Sequence, residues 1–383
     1  MSIIKKKIGI IGGGQLGKMM ILEAKRLGFY VIVLDPAADC PASSICDYQI
    51  VASFDDEKAF FDLANHVDVI TYEFEHINVN ALEKLAEKGH TIYPSVKSLK
   101  TIQNKYLQNI MLQENGVPVP RFAKVETATD IRKQAEILGY PLMLKATTGG
   151  YDGKGNALIL DETEVDDAFA LLGNGTREIM VEEFVPFEKE LSIIACRGID
   201  GSRCIYPVAE NSHVNSILDT TIVPARIAES SIVSATKIAY KVMEIFDGVG
   251  TFCVEMFVTQ DGSISVNEVA PRPHNSGHYT IEGCFACQFE NHIRAITGLA
   301  FGNVELIQPT VMMNLLGQSD GKADLIGLEE TYKDSRVKVH LYGKAESKRN
   351  RKMGHFTVTG QTVDEAIERA EKIKDIVKVK GIG

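Results

Sequence analysis

Short apolar runs alternate with helical patterns over the first hundred residues of the chain. Each apolar run has the length of a buried strand, and the segments between them repeat apolar residues at helical spacing. The predicted order is strand 8–11, helix 16–27, strand 30–34, helix 56–65, strand 67–72 and helix 81–88. This alternation predicts a parallel, doubly wound sheet with right-handed crossovers. We expect the domain to end near Pro94 and Ser95.

The pattern changes after about residue 97, where helices are mixed with strands and tight turns. The helical segments here are 98–115, 130–138, 230–246 and 288–296. The Gly- and Pro-rich residues 116–120 should end the first of these helices. A final segment from about residue 306 has a strand at 337–341 and a helix at 363–374. The mixed order predicts an α+β body after the α/β domain.

The segment 252–268 has the alternating pattern of a β-hairpin, with Asp261 and Gly262 as a two-residue turn. In that register Glu255 faces Glu268, with their Cβ atoms about 5 Å apart on one face. Two carboxylates so placed repel unless a cation lies between them or one is protonated. Oxygen ligands suit Mg²⁺, so the pattern predicts a magnesium site at this pair. The alternative is a solvated hairpin with incidental acids, which the apolar neighbours on both strands disfavour.

Composition and charge narrow the class of protein. The 383 residues are 45% hydrophobic and 24% charged, which fits a folded globular protein of two or three domains. The formal net charge of −10 argues against a dedicated nucleic-acid or membrane-surface binder. No apolar stretch reaches the roughly 18 residues of a membrane helix, and the first apolar run is too short for a signal peptide. We therefore expect a cytoplasmic protein.

The seven cysteines are odd in number and scattered, as is typical of a reducing cytosol. Cys284 and Cys287 form a C-x-x-C, but no second Cys or His pair follows at zinc spacing. We expect no metal or redox role for this pair.

The first glycine-rich motif is Gly12-x-Gly14-x-x-Gly17, which follows a strand and opens a helix. Asp35 ends the next strand, where the ribose-binding acid of a dinucleotide site stands. Alone, the motif favours an NAD-dependent enzyme. The alternative is that the glycines only form a tight turn and a helix N-terminus.

A second glycine-rich loop follows Lys145, which ends an apolar strand. Four glycines between Gly149 and Gly155 permit close backbone approach to phosphate oxygens. The loop is not a Walker A motif, because Gly155 follows Lys154 where Ser or Thr is required. The alternative is a hairpin tip with surface lysines.

Two further segments suit a polar, anionic substrate. The loop 269–278 is rich in hydrogen-bond donors and follows the predicted metal-binding strand. A late basic cluster is the best candidate for holding a substrate phosphate, and it comprises Lys344, Lys348, Arg349, Arg351 and Lys352. The alternatives are ordinary surface histidines and a solvated basic loop.

Taken in order, these motifs resemble the ATP-grasp ligases, and among them the 5-(carboxyamino)imidazole ribonucleotide synthetases of purine biosynthesis. The resemblance runs nearly from end to end, through residues 12–17, 71–75, 149–155, 210–213, 223–226, 267–278 and 352–355. It implies an N-terminal Rossmann-like domain at 1–98, an ATP-grasp body at 99–305 with a lid at about 120–183, and a small C-terminal domain at 306–383. It also implies a homodimer.

The implied reaction joins bicarbonate to 5-aminoimidazole ribonucleotide at the expense of ATP, with Mg²⁺, by way of carboxyphosphate. The products are the carboxyamino ribonucleotide, ADP and phosphate. Bicarbonate is a poor electrophile, so ATP must activate it, and carboxyphosphate must be kept from water.

By resemblance, the nucleotide is bound by Lys105, Lys145, Gly150, Tyr151, Asp152, Gly153, Lys154, Gly155, Asn156, Glu182, Glu183, Phe184, Val185, Glu190, His213, Asn267 and Glu268. The lysines would bind phosphates under the closing 150–156 loop, residues 182–185 would pair with adenine, and Glu190 would hold the ribose. Glu255 and Glu268 would hold the metal. Lys105 stands where relatives often have Arg, and it keeps the charge without the planar fork.

By the same resemblance, the ribonucleotide is bound by Gln15, Glu73, Tyr151, Asp152, Arg272, His274, Asn275, Ser276, Lys344, Arg351 and Lys352. Asp152, Arg272 and Lys352 would be catalytic, with Asp152 orienting the amine or accepting its proton.

Three other functions stay open at this point: another ATP-grasp ligase, an NAD-dependent oxidoreductase, and a nucleotide-binding module without catalysis. The Glu255 and Glu268 pair favours a ligase, because hydride transfer needs no such magnesium site. Residues 272–276 and the basic cluster favour this ligase over its relatives.

Overall fold

The structure is a computed structural model that describes residues 6–150 and 155–383. The predicted site residues Tyr151, Asp152, Gly153 and Lys154 lie outside the described residues.

The N-terminal sheet is parallel, as its apolar runs predict, with strand order β3-β2-β1-β4. Its elements are β1 Lys7–Ile11, α1 Gln15–Arg26, β2 Tyr30–Asp35, β3 Tyr48–Val51, α2 Glu57–His66, β4 Val69–Tyr72 and α3 Val79–Glu87. The predicted strands and helices are confirmed. The sequence missed β3, because this edge strand is partly exposed and carries no apolar run.

The helix predicted at 98–115 is wrong as a single element. It is two helices, α4 Val96–Gln103 and α5 Lys105–Glu114, separated at Asn104. Asn104 has an extended backbone, and its side-chain oxygen accepts a hydrogen bond from the Leu107 N–H at 3.1 Å. An N-cap of this kind starts a new helix, so Lys105 becomes the first residue of α5.

A separate four-stranded antiparallel sheet follows, in the order β5-β8-β6-β7. Its elements are β5 Phe122–Val125, α6 Ala128–Leu138, β6 Leu142–Ala146, β7 Asn156–Ile159, α7 Val165–Leu171 and β8 Ile179–Glu183. Helix α6 begins at a capping box between Thr127 and Asp130. The sheet has its own core, in which Ile131, Leu144 and Val181 are fully buried.

The largest sheet has nine strands and continues from the body into the C-terminal segment. Its elements, with the helices between them, are β9 Phe187–Arg197, β10 Arg203–Ile205, β11 Ala209–Val214, β12 Ile217–Val223, α8 Glu229–Phe246, β13 Gly250–Thr259, β14 Ile264–Ala270, α9 Thr280–Gly283, α10 Gln288–Thr297 and β15 Thr310–Leu316. Helix α8 packs on one face through Ala235, Ala239 and Met243, and α10 packs against the N-terminal sheet through Phe289 and Ile293.

The C-terminal segment completes this sheet and adds a three-stranded one, β18-β16-β20. Its elements are β16 Gly321–Ile326, α11 Leu328–Thr331, β17 Val337–Leu341, β18 Glu346–Ser347, β19 Lys352–Thr359, α12 Val363–Ile376 and β20 Lys378–Ile382. Strands β19 and β17 extend the large sheet beyond β15. The strand at 337–341 is confirmed, and the predicted helix at 363–374 extends two residues further. Among the described residues, no helix is both long and apolar enough to cross a membrane.

The predicted pairing of Glu255 with Glu268 is confirmed, but the two-residue turn is wrong. Near the loop, Val258 pairs with Ile264 and the Thr259 N–H bonds the Ser263 carbonyl, so three residues form the loop. A β-bulge then inserts Asn267 into β14 and brings Glu255 opposite Glu268. The loop is one residue longer than predicted, and the extra residue in the bulge compensates for it, so the predicted pairing of the two acids is kept.

Candidate active site

The candidate site is a cavity of about 1200 Å³ where the three largest sheets meet. The N-terminal domain contributes Gln15 and Glu73, and the four-stranded sheet contributes Lys145 and Glu182. The other predicted residues that line it are Lys105, Gly150, Asn156, Glu183, Phe184, Val185, Glu190, His213, Glu255, Asn267, Glu268, Arg272, His274, Asn275 and Lys352. Residues far apart in the sequence are therefore brought to one space.

Lys105 and Lys145, two of the lysines that line the cavity, are each paired with a carboxylate. Lys145 on β6 lies 2.5 Å from Glu182 Oε2 and 3.2 Å from Asn267 Oδ1. Glu182 is 3% exposed, and its other oxygen accepts a hydrogen bond from Asn109 at 2.8 Å. Lys105, at the start of α5, pairs with Glu268. The cations are thus held in place by acids and present positive charge to the cavity.

Glu255 and Glu268 respond to their surroundings in opposite directions. Burial, together with the charge of Glu268, raises the pKa of Glu255. The charge of Lys105 lowers the pKa of Glu268 despite burial. Lys105 therefore stabilises the charged form of Glu268, and the repulsion between the two carboxylates remains.

The donor set at this pair fits Mg²⁺. Glu255, Glu268 and Asn267 offer carboxylate and amide oxygens to one cavity, and oxygen donors are what Mg²⁺ prefers. The β-bulge explains why both Asn267 and Glu268 reach the cavity, since neighbouring residues of a regular strand point to opposite faces. Burial first and the charge of Glu268 second raise the pKa of Glu255, and a divalent cation between the two carboxylates would offset both effects.

His213 and Glu190 form a pair across β11 and β9, with 2.5 Å between His213 Nδ1 and Glu190 Oε2. Burial lowers the pKa of His213, but the hydrogen bond and charge of Glu190 outweigh it and raise the pKa above its usual value. Glu190 thus stabilises the protonated form of His213.

Arg272 is held in a bidentate ion pair with Glu75, at 2.6 and 2.7 Å. Arg272 follows β14 and Glu75 follows β4, so this contact joins the body to the N-terminal domain. Burial raises the pKa of Glu75, but the charge and hydrogen bonds of Arg272 outweigh it and lower the pKa. The sequence pattern did not single out Glu75 as a site residue, because nothing local reveals a partner 197 positions away.

The loop after Arg272 is fixed by a glutamine on α10. Gln288 accepts a hydrogen bond from the His274 N–H at 2.9 Å and donates one to the His274 carbonyl at 2.7 Å. Ser276 is fully buried, 2.9 Å from His274 Nδ1. Asn275 exchanges two side-chain hydrogen bonds with Asn314. These hydrogen bonds tie the loop to α10 and to β15.

The backbone N–H groups of the glycine motif near the N-terminus donate hydrogen bonds to carboxylates of the protein itself. The Glu73 carboxylate accepts hydrogen bonds from the Gly14 and Gly17 N–H groups, at 2.5 and 2.7 Å. Asp35 accepts hydrogen bonds from the Gly13 and Ala37 N–H groups, both at 2.8 Å. The donors that would hold a dinucleotide pyrophosphate are thus occupied by an acid, which argues against the NAD hypothesis.

The basic cluster is only partly directed at the cavity. Lys352 lines it, and Lys344 donates a hydrogen bond to the Lys352 carbonyl at 2.8 Å. Arg351 donates one to the Glu346 carbonyl at 2.9 Å.

Sequence reasoning missed the aromatic wall of the cavity, where Phe187 and Phe257 stack with ring centroids 4.8 Å apart. The two residues lie on different strands, and a single Phe on each strand forms no sequence pattern that predicts the contact.

Three family models match the chain along its length. They are the ribonucleotide synthetase preATP-grasp domain over residues 5–103, the ATP-grasp domain over 110–289, and the phosphoribosylaminoimidazole carboxylase C-terminal domain over 310–369.

Individual relatives agree with these models. The chain is 43% identical to N5-carboxyaminoimidazole ribonucleotide synthase of Staphylococcus aureus over 360 residues, 94% of each protein. A crystal structure of N5-carboxyaminoimidazole ribonucleotide synthetase from Thermotoga maritima superposes with a TM-score of 0.90 at 47% identity, covering 98% of this chain and 100% of that one. The Aspergillus clavatus enzyme, solved with ADP and 5-aminoimidazole ribonucleotide, has a TM-score of 0.90 at 36% identity, covering 98% and 99%.

Proposed function

We propose the following roles from the premise that this chain belongs to the N5-carboxyaminoimidazole ribonucleotide synthase family of ATP-grasp ligases. The protein carboxylates 5-aminoimidazole ribonucleotide with bicarbonate and ATP, through carboxyphosphate, in purine biosynthesis. One observation carries the assignment of roles. Two acid-paired lysines and a carboxylate pair open into the same cavity as the fixed loop around His274.

The ATP half of the site is built from β6, β8, β9 and the β13–β14 hairpin. Lys105 and Lys145 neutralise phosphate charge during transfer of the γ-phosphoryl group. Residues 182–185 hold adenine and Glu190 holds the ribose, beside the Phe187 and Phe257 stack. Mg²⁺, held by Glu255 and Glu268 with Asn267 nearby, would neutralise the charge that builds up on the transferred group.

The ribonucleotide half is built from the loop after β14 and the N-terminal domain. Arg272 and Lys352 supply positive charge for the anionic substrate, and Gln15 and Glu73 approach it from the N-terminal side. Burial, with the charges of Arg272 and Lys352, lowers the pKa of His274 well below its usual value, so His274 acts as a neutral hydrogen-bonding group.

Several parts of this proposal rest on the family resemblance alone. They are the roles of Asp152, Ser276, Lys344 and Arg351, the phosphate-binding 150–156 loop, a homodimer, a cytoplasmic location, and domain limits at residues 98 and 305. Size-exclusion chromatography with light scattering tests the homodimer.

The reaction is tested by following ADP release with ATP, Mg²⁺ and bicarbonate, with and without 5-aminoimidazole ribonucleotide. We expect strong stimulation that requires both the ribonucleotide and bicarbonate. Lys145→Met should abolish it, whereas Lys133→Met, at a lysine whose side chain is 68% exposed on α6, should not. ATP turnover indifferent to the ribonucleotide would mean that this ATP-grasp enzyme uses a different acceptor amine.

A further inference from the structure

Three metal-binding side chains lie together at the edge of the cavity: Glu255 and His274 line it, Cys253 is fully buried beside them, and the proposed reaction does not require the thiol. Among the described residues, Cys253, Glu255 and His274 each offer a donor atom, and the three atoms lie within 4.8 Å of one another. Cys253 and Glu255 are two positions apart on β13 and share one face of the strand. His274 comes from the loop that Gln288 fixes.

The histidine is oriented toward the other two groups. His274 Nε2 lies 3.7 Å from Glu255 Oε1, while Nδ1 lies 2.9 Å from Ser276 Oγ. The Ser276 backbone N–H also donates a hydrogen bond to Nδ1 at 3.3 Å, so metal binding at Nε2 requires the other tautomer, in which the Nδ1–H donates to Ser276 Oγ and Nε2 presents a lone pair. A metal-binding histidine typically donates its second ring N–H to such a partner. Ser276 Oγ is also 3.6 Å from Cys253 Sγ, so the supporting group contacts both ligands.

We propose that Cys253, Glu255 and His274 form a binding site for a thiophilic divalent cation, Zn²⁺ above all. Thiolate, imidazole and carboxylate are all zinc ligands, and three protein ligands with an open fourth position are an established zinc arrangement. At bond lengths of about 2.0 to 2.3 Å, tetrahedral ligands stand roughly 3.3 to 3.6 Å apart, so the side chains need move by about 1 Å. Binding breaks the Cys253 S–H bond, forms the S–Zn bond, and releases the proton to solvent.

The position of this site predicts inhibition. Glu255 is shared with the proposed Mg²⁺ site, and His274 with the proposed ribonucleotide site, so Zn²⁺ would displace the first and obstruct the second. Mg²⁺ prefers oxygen ligands and gains nothing from the thiol, whereas Zn²⁺ binds it strongly. The inhibition, though not the binding, rests on the proposed function.

Metal binding is tested on the substrate-free protein with Co²⁺ and Zn²⁺. Co²⁺ should produce a thiolate-to-metal charge-transfer absorption in the wild-type protein, and Zn²⁺ should remove it. Cys253→Ser should abolish the absorption and weaken Zn²⁺ binding at least tenfold, as measured by competition with a chromophoric chelator. The matched control is Cys284→Ser, which alters another buried cysteine and should change neither. Equal Zn²⁺ affinity in the wild-type and Cys253→Ser proteins would overturn the proposal.

A second variant and an activity measurement complete the test. Cys253→Ala removes the sulfur without adding a hydroxyl, so it replaces Cys253→Ser if that protein does not fold. With Mg²⁺ in place, Cys253→Ser should keep its turnover but need at least tenfold more Zn²⁺ for half inhibition. Zn²⁺ inhibition unchanged by the substitution would refute the inhibitory role. Absence of any ribonucleotide-dependent turnover would count against the proposed function instead, while the Co²⁺ spectrum still decides the metal site.

Discussion

Glu75→Gln is the sharpest test of how the N-terminal domain supports the site. Glu75 and Arg272 form a bidentate pair at 2.6 and 2.7 Å, with side chains 20% and 15% exposed. Breaking a fully buried pair costs about 3 to 5 kcal/mol, and an exposed pair contributes about 1 or less. Glutamine keeps one acceptor but turns an N–H₂ toward the guanidinium. We therefore expect the free energy of unfolding to fall by about 2 to 3 kcal/mol.

Urea unfolding measures this loss, and the chain offers a matched control. Glu57→Gln makes the same chemical change in the same domain, at a 2.6 Å pair with Lys84 whose side chains are 45% and 52% exposed. That control should lose less than about 1 kcal/mol.

A double-mutant cycle with Arg272→Met isolates the pair. The double variant should lose less stability than the sum of the single variants, by about 1.5 kcal/mol or more. A coupling below about 0.5 kcal/mol, or equal losses for Glu75→Gln and Glu57→Gln, would refute the reasoning. In activity assays, Glu75→Gln should reduce kcat/KM for the ribonucleotide more than for ATP, because Arg272 loses the partner that positions it.

Four further outcomes follow from the site. Folding lowers the pKa of Glu75, so the ionised carboxylate stabilises the fold above its unfolded pKa of 4.5, and this stabilisation is lost as the pH falls through the folded pKa. The difference in the free energy of unfolding between the wild type and Glu75→Gln should therefore close at a pH below that range. Lys145→Met should lower kcat/KM at least about 100-fold, some 2.7 kcal/mol, in ADP-release assays, with Lys133→Met unchanged. Glu255→Gln should raise the Mg²⁺ concentration for half-maximal activity about tenfold or more. Asp152→Asn should lower turnover far more than ATP affinity, and normal turnover would exclude its proposed role.

Local pattern was enough for most elements and for the chemistry of several residues. Strand 8–11 and helix 16–27 follow from the sequence pattern, because a buried strand appears as a continuous apolar run and a helix with one buried face appears as apolar residues at helical spacing. The hairpin pattern predicts that Glu255 and Glu268 lie on paired strands, since partners in a hairpin are close in sequence. The family motifs identified the remaining candidates by their order along the chain.

Tertiary structure decided the features that depend on distant residues. The bulge at Asn267, not the turn, sets the pairing of the two acids, and no single-strand pattern shows a bulge. Glu73 fills the glycine motif and Glu75 holds Arg272, because folding brings segments 56 to 197 positions apart into hydrogen-bonding distance.

The sequence by itself thus determined which segments form strands and helices and which residue types carry charge into the site. The tertiary structure alone decided how those charges are paired. The physical reason is range. Periodicity is a property of neighbours in the sequence, whereas the pKa of Glu255 and the partners of Lys105 and Lys145 depend on side chains that folding brings together from separate segments of the chain.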